Sequence, residues 1–207
     1  MRVTIHPTHP QPRYIAMACE KLRRDGVVIY PTDSFYGLGC AMESQTASAR
    51  IRDIRKMTKH QFLTLVCRDL SELSTFARVD KASYRLIKSL TPGPYTFILQ
   101  ATRELPRRLQ DPKRKTIGLR IPNNPTARAL LDSLDSPMLS ATARDAGDDG
   151  ILSDVDELDD RLGRRVDLFL DAGSCGADPT TVIDLTNGDP VLVRQGAGAV
   201  DRLLDLQ

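Results

Sequence analysis

Short apolar, β-branched runs alternate with helix-period segments along most of this chain, and that alternation limits the fold more than any single motif does. Gly26–Tyr30 reads G-V-V-I-Y between a charged stretch and Pro31, which predicts a buried strand. Ser44 stands where it can cap a helix carrying Ala47, Ile51 and Ile54 at helical spacing. Phe62–Cys67 predicts a second strand. Lys81–Leu90 predicts a helix with Tyr84, Ile87 and Leu90 turned inward, stopped by Thr91-Pro92-Gly93-Pro94. Tyr95–Ala101 and Thr116–Ile121 follow as strands. Asn124 before Pro125 fits an N-cap and a first-turn proline, opening a helix with Ala129, Leu130 and Leu134.

Met138–Ala143 predicts a short strand running into a loop, and Ser153 the cap of an acidic helix through Leu162. Asp167–Asp171 and Thr181–Leu185 predict strands. Asn187-Gly188, between Thr181–Thr186 and Pro190–Arg194, is the strongest hairpin signal in the chain. Strands and helices that alternate and then close on a hairpin predict an α/β fold, a mixed sheet with helices packed on it. No linker or repeat divides residues 1–207, so one domain is expected.

The bulk composition excludes several classes. No apolar run approaches the roughly 20 residues that span a bilayer. Met1–Pro12 has no apolar h-region and does not read as a signal peptide. A cytoplasmic protein with no membrane partner is expected. Cys19, Cys40, Cys67 and Cys175 are scattered, which suits reduced, mostly buried thiols. His6 and His9 lie in a Pro-rich lead-in that reads as a solvated, frayed terminus rather than a metal site. With no Trp and 5 % aromatics, a row of stacking aromatics for single-stranded nucleic acid is not expected.

The formal net charge of +2 hides a local asymmetry. From Arg103 to Arg120 seven bases face two acids, a balance of +5. From Asp145 to Asp171 ten acids face three bases, a balance of −7. The basic part can attract phosphates; two ordinary solvated faces, or pairing between the two stretches, explain the same charges.

No P-loop, dinucleotide fingerprint, nucleophile elbow or H-E-x-x-H is present. What remains is a set of loops at predicted strand ends: Pro31–Gly39, Thr91–Thr96, Arg120–Pro125, Ser140–Thr142, Pro179–Val182 and Arg194–Gly198. Ligands of α/β sheets sit outside strand ends, so these loops can converge on one pocket. Their hydroxyls, free amides and arginines suit phosphates and carboxylates, and no general base stands out. Any one loop, taken singly, is better explained as a turn.

Those loops resemble the blocks of the YrdC/YciO family. Pro31–Cys40 is similar to P-T-D-T-x-Y-G-L-G-x. Pro92–Thr96, Arg120–Pro125, Pro179–Asp184 and Arg194–Gly198 are similar to P-G-P-x-T, R-x-P-x-x-P, P-[ST]-T-V-x-D and R-x-G-x, in that order. The resemblance runs from about Tyr14 to Gly198. Lys115–Arg120 and Cys67–Leu70 look most like the YciO branch.

It implies a single YrdC-like domain, a twisted mixed sheet with flanking helices and a concave basic surface for double-stranded or transfer RNA. In catalytic members a cavity joins threonine, bicarbonate and ATP, with Mg²⁺, into threonylcarbamoyl-AMP; no tightly bound cofactor is implied. Carried over, Thr32 and Tyr36 line the cavity, Arg120 holds a carboxylate or carbamate, and Ser140, Thr142, Thr181 and Arg194 contact the nucleotide. Arg55, Arg120 and Ser140 carry the catalytic roles. Arg107, Arg108, Lys113, Arg114 and Lys115 are the expected RNA contacts on charge alone.

Two positions depart from the synthase pattern. The K-x-R pair reads Arg55-Lys56-Met57, and the S-x-N triplet reads Ser140-Ala141-Thr142. Losing one fixed cation near a transferring phosphoryl group costs several kcal/mol of transition-state stabilisation, roughly 3–4 by analogy with an oxyanion donor. Weak or altered synthase chemistry is therefore expected. An active synthase using Arg55 with Lys56 or Lys59, a non-catalytic RNA-binding module, and an enzyme acting on another carbamate or acyl adenylate stay open.

Overall fold

The computed structural model describes residues 1–59, 61–145, 154–176 and 178–200. Its strands are β1 (Arg2–Thr4), β2 (Val28–Tyr30), β3 (Gly37–Ala41), β4 (Thr64–Val66), β5 (Tyr95–Gln100), β6 (Thr116–Arg120), β7 (Met138–Thr142), β8 (Leu168–Asp171), β9 (Thr181–Asp184) and β10 (Val191–Arg194). They form one mixed sheet in the order β1-β8-β2-β3-β7-β4-β6-β5-β9-β10. The helices are α1 (Pro12–Arg23), α2 (Gln45–Ile54), α3 (Leu70–Phe76), α4 (Lys81–Leu90), α5 (Pro125–Leu134) and α6 (Val155–Leu162).

Local chemistry sets the helix starts. Ser44 Oγ accepts from the Ala47 N–H at 3.0 Å, and Asn124 Oδ1 accepts from the N–H groups of Thr126 and Ala127, as their positions predict. Asp154 caps α6 through the N–H groups of Asp156 and Glu157, whereas Ser153 lies outside the described residues. The closing hairpin forms where Asn187-Gly188 places it, with Gly188 at φ 91°, a conformation that glycine adopts at little cost.

Strand alternation builds two cores. On one face Leu38, Leu65, Phe97, Leu119, Leu139 and Ile183 pack under α2, α3, α4 and α6. On the other, Val28, Tyr30, Val66, Met138 and Leu168 pack under α1 and α5. That second pair of helices covers the half of the sheet around β2 and β8. Over β4 to β9 the same face carries Thr64, Thr96, Gly118, Arg120 and Val182, too polar to hold a helix down, and a cavity opens there.

Several expectations change. The N-terminus is not frayed: Arg2–Thr4 pairs in parallel with β8, and Ile5 is buried. The Arg2 guanidinium holds Asp171 and Asp156, an attachment that a three-residue strand cannot announce by periodicity. Gly37–Gly39 is not loop but the start of β3, paired antiparallel to β2 and β7. Tyr84 is 42 % exposed; Ser83, Leu86, Ile87 and Leu90 are the inward residues of α4. α1 and α3 had no reading from the sequence. The four cysteines are free, three of them buried. Among the described residues no helix is long and apolar enough to cross a membrane.

Candidate functional site

The cavity holds about 310 Å³. β4, β5, β6 and β7 supply its floor with Thr64, Thr96, Arg120, Ser140 and Thr142. Arg55, the C-cap of α2, enters from one side with Met57, Gln61 and Phe62. Thr180, Val182 and Arg194 close the other side, and Ser34 and Phe35 come from the loop after β2. Among the described residues three arginines line the space, and no carboxylate does.

Each cation is held differently. Arg120 is 8 % exposed, and its Nη2 donates to the Asp33 carboxylate, which also accepts from the Asn123 N–H at 3.1 Å. Its Nε is buried without a partner among the described residues. Among the described residues Arg55 reaches only the Arg144 carbonyl, through Nη1 at 3.4 Å, and its Nε is also buried without a partner. Arg194 donates through Nε and Nη2 to the Thr180 carbonyl at 3.1 and 2.8 Å. Burial first, and the charge of Arg144 second, lowers the pKa of both Arg55 and Arg194. Guanidinium groups stay charged at neutral pH all the same, so the site holds desolvated positive charge with open donors.

The hydroxyls are fixed as well. Tyr30, buried beneath the floor, donates to Ser140 Oγ at 2.8 Å, and Thr96 and Thr180 share a hydrogen bond at 3.0 Å. A cavity of fixed hydroxyls and unpaired guanidinium donors suits a phosphate or carboxylate.

The structure brings together Arg55, Arg120, Ser140, Thr142 and Arg194 as the sequence predicts. It does not bring in Thr32, Tyr36 or Thr181. Thr32 Oγ1 donates to the Phe35 carbonyl at 2.6 Å and holds its own loop. The Tyr36 hydroxyl donates to the Gly173 carbonyl at 2.7 Å and accepts from the Ala172 N–H, and burial pushes its pKa up. Thr181 is wholly buried and donates to the Gly198 carbonyl at 2.7 Å. Strand parity carries the signal: Ile183 faces the core, so Thr181 does too, and Thr180 and Val182 face the cavity. Asp33 and Arg144 also went unassigned in the sequence, because their partners are distant in the chain.

The expected RNA contacts divide. Arg108 donates to the carbonyls of Met42 and Glu43, and Arg114 holds Asp184 and Thr186. Arg107, Lys113 and Lys115 are exposed. Among the described residues the acidic stretch pairs with Arg2, Arg50, Arg161 and Arg165.

A family model of the Sua5/YciO/YrdC domain, described as Telomere recombination, matches residues 20–196. The chain belongs to this family. It is similar to Uncharacterized protein YciO of Escherichia coli strain K12, 52 % identical over 200 residues that cover 97 % of each chain. The crystal structure of E. coli YciO superposes with a TM-score of 0.93 at 51 % identity, covering 98 % of both chains. Threonylcarbamoyl-AMP synthase of Chromobacterium violaceum is 30 % identical over 193 residues, covering 88 % of this chain and 94 % of the synthase. The P. abyssi Sua5 complexed with L-threonine has the same fold, with a TM-score of 0.91 at 22 % identity, covering all of this chain and 60 % of that one. Within the Sua5/YciO/YrdC family, this chain places Met57 and Thr142, its two departures from the synthase pattern, in the cavity wall.

Proposed function

We propose that this cytoplasmic protein binds the phosphates of ATP or AMP in its cavity, meets double-stranded or transfer RNA on its basic face, and carries a weak or altered form of threonylcarbamoyl-AMP synthase chemistry. One observation carries the reading: among the described residues three arginines and no carboxylate line the cavity, and the Nε atoms of Arg55 and Arg120 are buried without a partner. Buried donors of this kind are stable only when something accepts from them, and a phosphate or carboxylate oxygen is the matching group.

In this reading Arg120, braced by Asp33, takes the carboxylate or carbamate of the amino-acid part. Ser140 and Thr142 donate to the nucleotide, and Arg55 and Arg194 hold its phosphates. Thr180 fills the part that the sequence assigned to Thr181. Any Mg²⁺ would come in on the phosphates. Met57 leaves one fixed cation fewer than the synthase pattern, which is the reason for a weakened reaction.

Incubation with ATP and a thermal melt test the binding. ATP should raise the Tm of the parent, because a ligand bound only by the native state stabilises it. Arg194→Ala should remove the rise; a rise that survives moves the nucleotide elsewhere. Incubation with ATP, threonine and bicarbonate, read as AMP and pyrophosphate against the same variant, tests the chemistry.

A further inference from the structure

The chain leaves β7 at Thr142 and passes the rim of the cavity. Strand parity carries on past that end. Ala141 and Ala143 pack with the first core, and Asp145 turns the same way, accepting at 3.1 Å from Arg165, just after α6. Ser140 and Thr142 line the cavity, and Arg144, next in their row, takes their face. The backbone here is pinned from two sides. The Ala143 N–H donates to the Tyr36 carbonyl at 2.7 Å, and the Arg144 carbonyl accepts from Arg55 Nη1 at 3.4 Å. The rim position of Arg144 is thus built into the fold.

Arg144 is partly exposed and lies outside the floor and walls, so it stands over the opening rather than in it. Among the described residues its guanidinium has no hydrogen bond and no carboxylate partner. After burial, its charge is the second cause that lowers the pKa of both Arg55 and Arg194. Those two enter the cavity from opposite sides, so Arg144 stands within electrostatic reach of both. Of the four guanidinium groups around the opening only that of Arg120 has a carboxylate, Asp33, among the described residues, which leaves three unmatched positive charges. One phosphate brings about 1.5 to 2 negative charges at neutral pH, too few to match them. A chain of phosphates brings enough. The volume agrees: about 310 Å³ lies at the small end of small-molecule sites, roughly 300–1,000 Å³. A nucleotide carrying several phosphates overruns such a space, and the part that overruns it meets the rim.

We infer that Arg144 binds the outer phosphates of a nucleoside triphosphate seated in the cavity, so that the site takes ATP in preference to AMP. This rests on the nucleotide reading above and decides between its two ligands. Arg144 stands at the rim and Met57 in the wall, so the extra cation strengthens binding without replacing the charge that the reaction lacks.

Isothermal titration of ATP, AMP and inorganic pyrophosphate into the parent, Arg144→Ala, Arg144→Gln and Lys88→Ala tests this, with the Tm of each free protein recorded. Lys88 is an exposed cation of α4, across the sheet from the cavity, and controls for net charge. The parent should bind ATP more tightly than AMP. Both Arg144 variants should weaken ATP and pyrophosphate about tenfold or more, the effect of one hydrogen bond to a charged group, and AMP by less than about twofold. Lys88→Ala should match the parent. The free Arg144 variants should melt no lower than the parent, because the side chain holds no partner among the described residues and its loss relieves Arg55 and Arg194 of a like charge.

ATP affinity that survives in both Arg144 variants overturns the assignment. So does an equal loss for ATP and AMP, which would reduce Arg144 to a part of the general positive field, or to a structural role if Tm falls with it. A loss confined to pyrophosphate overturns it too, since Arg144 would then serve that free anion. Should Arg144→Ala fail to fold, Arg144→Gln keeps most of the bulk and decides alone. A parent that binds no ATP removes the nucleotide reading and this one together; a parent and Arg144 variants that bind ATP equally remove only the role of Arg144.

Discussion

The Tyr30 hydroxyl donates to Ser140 Oγ at 2.8 Å, so a residue buried in the second core fixes a hydroxyl of the cavity floor. With Tyr30 as donor, the Ser140 proton is free to point at a ligand. Two glycines of β3 make room for the ring: a Cβ at Gly39 would stand 2.8 Å from it, and one at Gly37 3.0 Å.

Tyr30→Phe removes only the hydroxyl. It should cost about 1 kcal/mol, a net hydrogen bond, and lower Tm by about 2–4 °C for a domain of this size. Gly39→Ala should cost more, about 1–3 kcal/mol, because the enclosed ring has nowhere to move. Thermal melts of the two variants check the order. A larger loss for Tyr30→Phe would place the main strain elsewhere.

Arg55 is a case in which stability and binding oppose each other. Its half-buried charge has no carboxylate partner among the described residues, and burial lowers its pKa. Arg55→Met keeps the bulk and removes the desolvated charge. The free variant should be more stable, by about 1 kcal/mol, while the ATP-induced rise in Tm should shrink or vanish. A variant that melts lower than the parent even without ATP would show that the guanidinium holds the α2 end in place.

Met57→Arg with Thr142→Asn restores the synthase pattern at two cavity positions. The double variant should make threonylcarbamoyl-AMP faster than the parent, up to the roughly 10²–10³-fold that one lost anion donor costs. An equal or lower rate, with Tm unchanged, would mean that the cavity serves a different substrate. Met57 also packs against the first core, so a fall in Tm would report lost packing instead.

The basic connection should divide by function. Arg114→Ala and Arg108→Ala should lower stability and with it Tm, Arg114→Ala by up to about 1 kcal/mol through the loss of its Asp184 pair at 2.7 Å, with little change in the salt slope of RNA binding. Arg107→Ala and Lys113→Ala should do the reverse, each flattening the slope by about 0.7–0.9. Equal slopes in all four would remove this stretch from the RNA face.

The sequence by itself determined many of the elements and several of their ends. Ser44, Asn124 and Asn187-Gly188 act within three residues of themselves, through caps and a turn, so their effects are written locally. The ordered blocks likewise carried Arg55, Arg120, Ser140 and Arg194 to one cavity. Only the tertiary structure decided what each residue faces. Tyr36 and Thr181 sit in blocks that resemble a binding site, yet strand parity turns them into the core, where backbone partners take their hydroxyls. Asp33 braces Arg120 across 87 positions, and Arg2 fastens β1 to Asp171 across 169. Contacts of such separation depend on how the sheet is ordered, and no local pattern encodes them.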